Sequence, residues 1–256
     1  ESLRLARRLE PDDPNWTALH IYNLIVLHRY DDAMAEIEDY DGRDQFVAFM
    51  RAALGLREHG DLQRTVQDML AVHEEFGTPT TFGMMIFAHE VGRNFEAAAR
   101  AAAAIPDSEA QMMRLEIWHF LGEENKVAEL AAAAREGIVE PGMEPSEITD
   151  GRAIELAMLA ATEGDAAAAE QFIRQFYRGE GTDWASRVAL RDRTCRILGI
   201  AGAADAAVKC IRDGLAEPSR VMPFFEPRLP HYDAIRDEPV FIELVGELGL
   251  ENMAGP

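Results

Sequence analysis

Apolar residues recur along this chain in stripes of helical length, broken by short turns. Leu19, Tyr22, Ile25 and Val26 form one stripe. Phe46, Phe49, Ala53 and Leu56 form the next, and Val66, Met69, Leu70 and Val72 a third. Apolar positions three and four apart mark one face of an amphipathic helix. The pattern continues through Phe82, Met85 and Ile86, through Phe95, Ala98, Ala102 and Ile105, through Met112, Leu115, Trp118 and Leu121, and on past Ile154 and Phe176. The turns between the stripes resemble one another: Arg29-Tyr30-Asp31-Asp32-Ala33, Gly60-Asp61-Leu62, Gly92-Arg93-Asn94, Gly122-Glu123-Glu124, Gly164-Asp165-Ala166 and Gly202-Ala203-Ala204-Asp205. Gly60 to Gly92 is 32 residues, Gly92 to Gly122 is 30, and the next two steps are 42 and 38. Glycine supplies the left-handed backbone that ends a helix, and an acidic residue after it favours the next N-terminus. The second stripe of each pair is rich in alanine, which lets neighbouring helices approach closely. The pattern predicts an all-α array of helix–turn–helix units at a period of roughly 34 residues, each packing on its neighbours.

Residues 1–221 read as this array. Its first repeat is partial: Glu1–Glu10 has the pattern of a second helix, closed at Leu9-Glu10-Pro11. Because the chain opens inside a helical pattern and not at Met, we expect a fragment of a longer protein. Asn15 is placed to cap the following helix. Gly137–Asp150, with two prolines, two glycines and four acidic residues, predicts a long loop between repeats. Residues 222–256 differ. Pro223, Pro227, Pro230 and Pro239 forbid a single helix over Met222–Pro239. That stretch is expected to run extended across the last repeat and end in a helix at Val240–Leu248, whose stripe of Phe241, Leu244, Val245 and Leu248 suits a cap on the array.

Charge narrows the partners. The net charge is −21. Such a surface repels phosphate backbones and anionic lipid, which disfavours direct nucleic-acid binding, and it suits a basic protein or peptide. No apolar run approaches the roughly 20 residues of a membrane span, and no secretory signal is visible, so a cytoplasmic location is expected. The two cysteines, Cys195 and Cys210, flank the sixth turn. Without an export signal, two buried thiols are favoured over a disulfide.

No catalytic constellation emerges. His89-Glu90 begins a zinc-protease pattern, but Arg93 stands where the second histidine belongs. Gly179-Glu180-Gly181 lacks the third glycine of a nucleotide loop, and the carboxylate pairs Asp31-Asp32, Glu74-Glu75 and Glu123-Glu124 lie at turns or helix ends. No metal and no cofactor is expected.

The units resemble degenerate tetratricopeptide repeats. The tail Leu229-Pro230-His231-Tyr232-Asp233-Ala234-Ile235-Arg236-Asp237-Glu238-Pro239-Val240-Phe241 is similar to the Pro-x-Tyr-Asp-x-Ile-Arg-x-x-Pro-x-Phe ending of bacterial arrays that follow adenylate cyclase or winged-helix regulator domains. The resemblance implies a right-handed α-α superhelix whose first helices line a concave, partner-binding groove. Counting back from the turn glycines gives Met50, Arg57, Phe82, Ile86, His89, Met112, Glu116 and His119 as groove residues, with His89 and His119 at equivalent positions. The function implied is a non-catalytic interaction module of a larger bacterial signalling or regulatory protein, taking a peptide, a protein or a second copy of itself. The alternative is an all-helical enzyme, an α/α-toroid hydrolase or lyase, which requires ionisable residues converging in a central cavity.

Overall fold

The computed structural model describes residues 14–138, 150–178 and 184–250, the side chains at 14–15, 107–110, 150 and 184 excepted. The expected partial repeat at 1–10 and most of the 137–150 loop lie outside these residues. Among the described residues the chain is all-α, with no strand. Helices follow in pairs: α1 (Pro14–Val26) and α2 (Tyr30–Glu38), α3 (Gln45–His59) and α4 (Leu62–Phe76), α5 (Pro79–Val91) and α6 (Phe95–Ala102), α7 (Asp107–Phe120) and α8 (Glu124–Ile138), α9 (Asp150–Thr162) and α10 (Ala166–Arg178), α11 (Trp184–Ile200) and α12 (Ala204–Ala216). Each packs on its neighbours in sequence, as a helical repeat does. A last helix, α13 (Pro239–Glu247), packs on α12. No helix of the described residues is long and apolar enough to cross a membrane.

Local chemistry accounts for the ends. Asp44 and Asp61 accept hydrogen bonds from the first free amides of α3 and α4, and Thr78 and Thr81 form a reciprocal capping box ahead of Pro79. The first helix begins at Pro14, so Asn15 lies inside it and is not its cap. Helix α8 runs through Gly137 to Ile138, which narrows the expected loop.

The turns follow one rule, with two exceptions in residue choice, His28 and Arg93. In five of them a residue with positive φ donates its amide three residues back, and its successor donates five residues back. The positive-φ residue is His28, Arg93, Gly122, Gly164 or Gly202. At the third unit the left-handed residue is therefore Arg93, not Gly92, whose φ is −78°. A non-glycine residue seldom takes this conformation. The repeat register there is one residue later than the glycine suggests. Measured from the true turn residues, Glu90 is the counterpart of His119, and Phe87 is the counterpart of Glu116.

The tail does not run extended across the last repeat. It turns through two short 3-10 segments, Glu226–Arg228 and Pro230–Ile235, and touches α1, α5, α7 and α11. The Ser219 amide donates to the Val26 carbonyl at 2.9 Å, and Phe224 stands edge-on to Tyr30. Phe225 stacks on Phe87 of α5, and His231 meets Phe120 of α7 edge to face. Tyr232 lies against Gly199 of α11, where a Cβ would stand 2.6 Å from the His231 carbonyl and from the Tyr232 ring, so this crossing requires glycine. Phe225, Leu229, Tyr232 and Ile235 are fully buried. Distant parts of the chain thus meet through the tail, in contrast to a simple open stack.

Cys195 and Cys210 form a disulfide, which corrects the expectation of two thiols. They face each other on the antiparallel helices α11 and α12 with Cα atoms 5.3 Å apart, within the range a disulfide spans.

Candidate functional site

The first helices α1, α5, α7, α9 and α11 meet the tail or the cavity beside it, and three positions repeat along that wall. Three residues before the left-handed turn residue stand Glu90, His119, Ala161 and Gly199. Six residues before the left-handed turn residue stand Tyr22, Phe87, Glu116, Met158 and Arg196. Ten before it stand Gly83, Met112, Ile154 and Asp192. Where the tail does not fill the space between these helices, a cavity of about 440 Å³ remains. Helices α5, α7, α9 and α11 and the tail all contribute to its lining. Its apolar part comes from Ile86, Phe87, Met112, Met113 and Met158. Its polar part comes from Glu90, Glu116, Glu155, Asp192, Arg193 and His231, with Arg196 and Arg220 behind.

Most of these charges are already matched. Arg196 holds the fully buried Glu226 through two hydrogen bonds, 2.8 and 3.0 Å, and also lies 3.5 Å from Asp192. Arg220 reaches across from the tail to Asp192 at 2.9 Å. Burial alone would raise the Asp192 carboxyl, but the two guanidinium groups hold it below the usual range. Tyr232 donates to Glu226 at 2.9 Å, and its phenol is pushed well up by burial and by that carboxylate. Glu116 pairs with His231 Nε2. Burial opposes ionisation of Glu116 too, yet His231, Arg193 and Arg196 together keep its carboxyl low. His119, next to this pair, is held below its ordinary value by burial.

Glu90 is the exception. It is 5% exposed and lines the cavity, and among the described residues it has no hydrogen-bond partner. Burial and the charge of Glu116 raise its carboxyl well above the ordinary value, with only Arg196 opposing. Two carboxyl groups in one cavity are thus pushed in opposite directions, Glu90 up and Glu116 down. The Nδ1 of His231 is likewise buried without a partner among the described residues.

Glu90→Gln is expected to stabilise the fold with a defined pH dependence. In the unfolded chain this carboxyl loses its proton near 4.5, whereas the folded state retains it to higher pH. The folded state therefore binds more protons between those two values, and stability falls as pH rises through that window. The amide removes that loss. Its Tm should exceed that of the parent by several degrees at pH 7 and match it below pH 4.5. Equal Tm values across this range contradict the assignment.

The sequence-derived groove residues divide. Met112 and Glu116 line the cavity, and His119 lies beside it. Ile86 touches the cavity but belongs with Phe82 to a small apolar core against Ala98 and Ala102. His89 points elsewhere, into a separate groove of about 770 Å³ between α4, the 91–94 turn and α13. Met50 packs on the main core, and Arg57 pairs with Asp31 at the rim. Counting from Gly92 displaced Phe82, Ile86 and His89 by one residue from the wall positions Gly83, Phe87 and Glu90. Arg193, Arg196 and His231 were not anticipated; the tail residue has its partner 115 positions away.

No family model matches this chain, and no curated protein matches it.

Proposed function

We propose that the chain is a non-catalytic interaction module, a tetratricopeptide-like right-handed array of a larger bacterial signalling protein in the cytoplasm, which takes a peptide or protein segment on its inner wall. The observation that carries this reading is the cavity left open where four consecutive first helices meet the tail. Its volume suits one or two inserted side chains, with methionines that adapt to their shape.

Labelled peptides spanning acidic, neutral and basic sequences test it by fluorescence anisotropy. We expect a subset to bind, and Met112→Arg, which fills the cavity from a half-buried position, to weaken them at least about tenfold, or about 1.4 kcal/mol. Absence of any binding peptide, or undiminished affinity in a folded Met112→Arg protein, overturns the reading.

A second reading rests on Glu90 and Glu116. Two carboxyls in one cavity whose surroundings push them in opposite directions are the arrangement used for acid–base chemistry. An all-helical hydrolase or lyase would show turnover that both Glu90→Gln and Glu116→Gln abolish.

A further inference from the structure

We propose that the inner cavity is a site for an organic cation, the ammonium or guanidinium group of a lysine or arginine side chain, with Glu90 as its counter-ion. The inference rests on the interaction-module reading, whose peptide partner it specifies.

Pairing leaves negative charge over in the cavity. Arg196 and Arg220 balance Asp192 and Glu226, and His231 with Arg193 balances Glu116. Glu90 on α5 and Glu155 on α9 remain without a hydrogen-bonded or ion-paired partner among the described residues. An isolated buried carboxylate is costly, so burial and the Glu116 charge push the Glu90 carboxyl up. A cation seated between Glu90 and Glu155 answers in another way. It supplies the missing charge, and Glu90 releases its proton on binding. The methionine wall of Met112, Met113 and Met158 accommodates the methylene stem that precedes such a head group. The charges acting on Glu90 are Glu116 on α7 and Arg196 on α11, and Glu155 on α9 lines the same cavity. Asp192 and Arg193 on α11 and Arg220 and His231 on the tail complete the charged lining. The carboxyl of Glu90 is raised by burial and by the like charge of Glu116.

Agmatine, n-butylamine and peptides carrying a single central arginine serve as probes, with the same peptides bearing citrulline as neutral controls. Calorimetry on the full chain, in two buffers of different ionisation enthalpy, is expected to show saturable binding with net proton release. Affinity should fall as pH drops below neutrality. Glu90→Gln, which keeps the fold, should weaken binding at least tenfold and remove the proton release. Equal binding of citrulline and arginine peptides, an unaltered affinity in Glu90→Gln, or the same response to Ca²⁺ or Mg²⁺ alone overturns the cation site. The two readings fail separately. Peptides that bind irrespective of charge leave the interaction module standing and sink the cation site. Free amines that bind where no peptide does uphold the cation site and sink the peptide reading.

Discussion

Ending the chain after Ala216 is expected to abolish cooperative unfolding. The segment removed carries Val221, Phe225, Leu229, Tyr232, Ile235, Phe241 and Leu244, all essentially buried. Burying one such side chain is worth about 1.5–3 kcal/mol, so the apolar loss alone rivals the 5–15 kcal/mol that stabilise a typical domain. The polar loss adds to it. Arg196 forfeits Glu226, Glu116 forfeits His231, and Asp192 forfeits Arg220. These groups would then face each other across an open wall. The effect should therefore exceed that of uncapping the last pair, which would fray only α11 and α12. Circular dichroism should show helix retained without a sharp transition, and the truncated chain should bind a hydrophobic dye. An unchanged, cooperative melt of the shortened protein would show that the tail is an appendage.

Arg196→Met is expected to be the most damaging single substitution on the inner wall. Methionine replaces the aliphatic stem but leaves Glu226 with a full charge, no exposure and only the Tyr232 hydroxyl as donor. Breaking a buried ion pair from one side costs about 3–5 kcal/mol. For a chain of this size each kcal/mol lowers Tm by about 2–4 °C, so a fall near 10 °C should be seen. The double variant Arg196→Met with Glu226→Gln removes both charges and should recover more than half of the loss, because the penalty lies in the stranded carboxylate. A double variant no better than the single one would place the cost in lost packing against the Phe87 ring, over which the guanidinium lies at 5.4 Å.

The helix pairs, the all-α class and the terminal helix at Pro239–Glu247 were legible because each rests on local signals: apolar spacing, caps, glycine and proline. The site was half legible. Met112, Glu116 and His119 were reached by counting back from Gly122, which is the left-handed residue of its turn. The same count from Gly92 failed because Arg93 takes the strained position, one place on. The strain has a visible compensation: Arg93 forms a two-armed ion pair with Asp233 of the tail. The tail stood apart in the sequence by its prolines, but its role was hidden. Tyr232, Asp233 and Ile235 are the residues that seat it on the wall. Their partners lie so far upstream that no periodicity connects them.

The interior tail also sets an order of events during synthesis. Residues 217–235 leave the ribosome after the six helix pairs of the described residues, yet they complete the polar wall for helices made well before them. At about 5–20 residues per second, the nascent array spends seconds with Glu116, Asp192 and Arg196 facing water and its methionines uncovered. An ordinary stack of repeats can mature pair by pair as it emerges. This one acquires its finished interior in a single late step, so stalled or prematurely terminated chains should be the aggregation-prone ones.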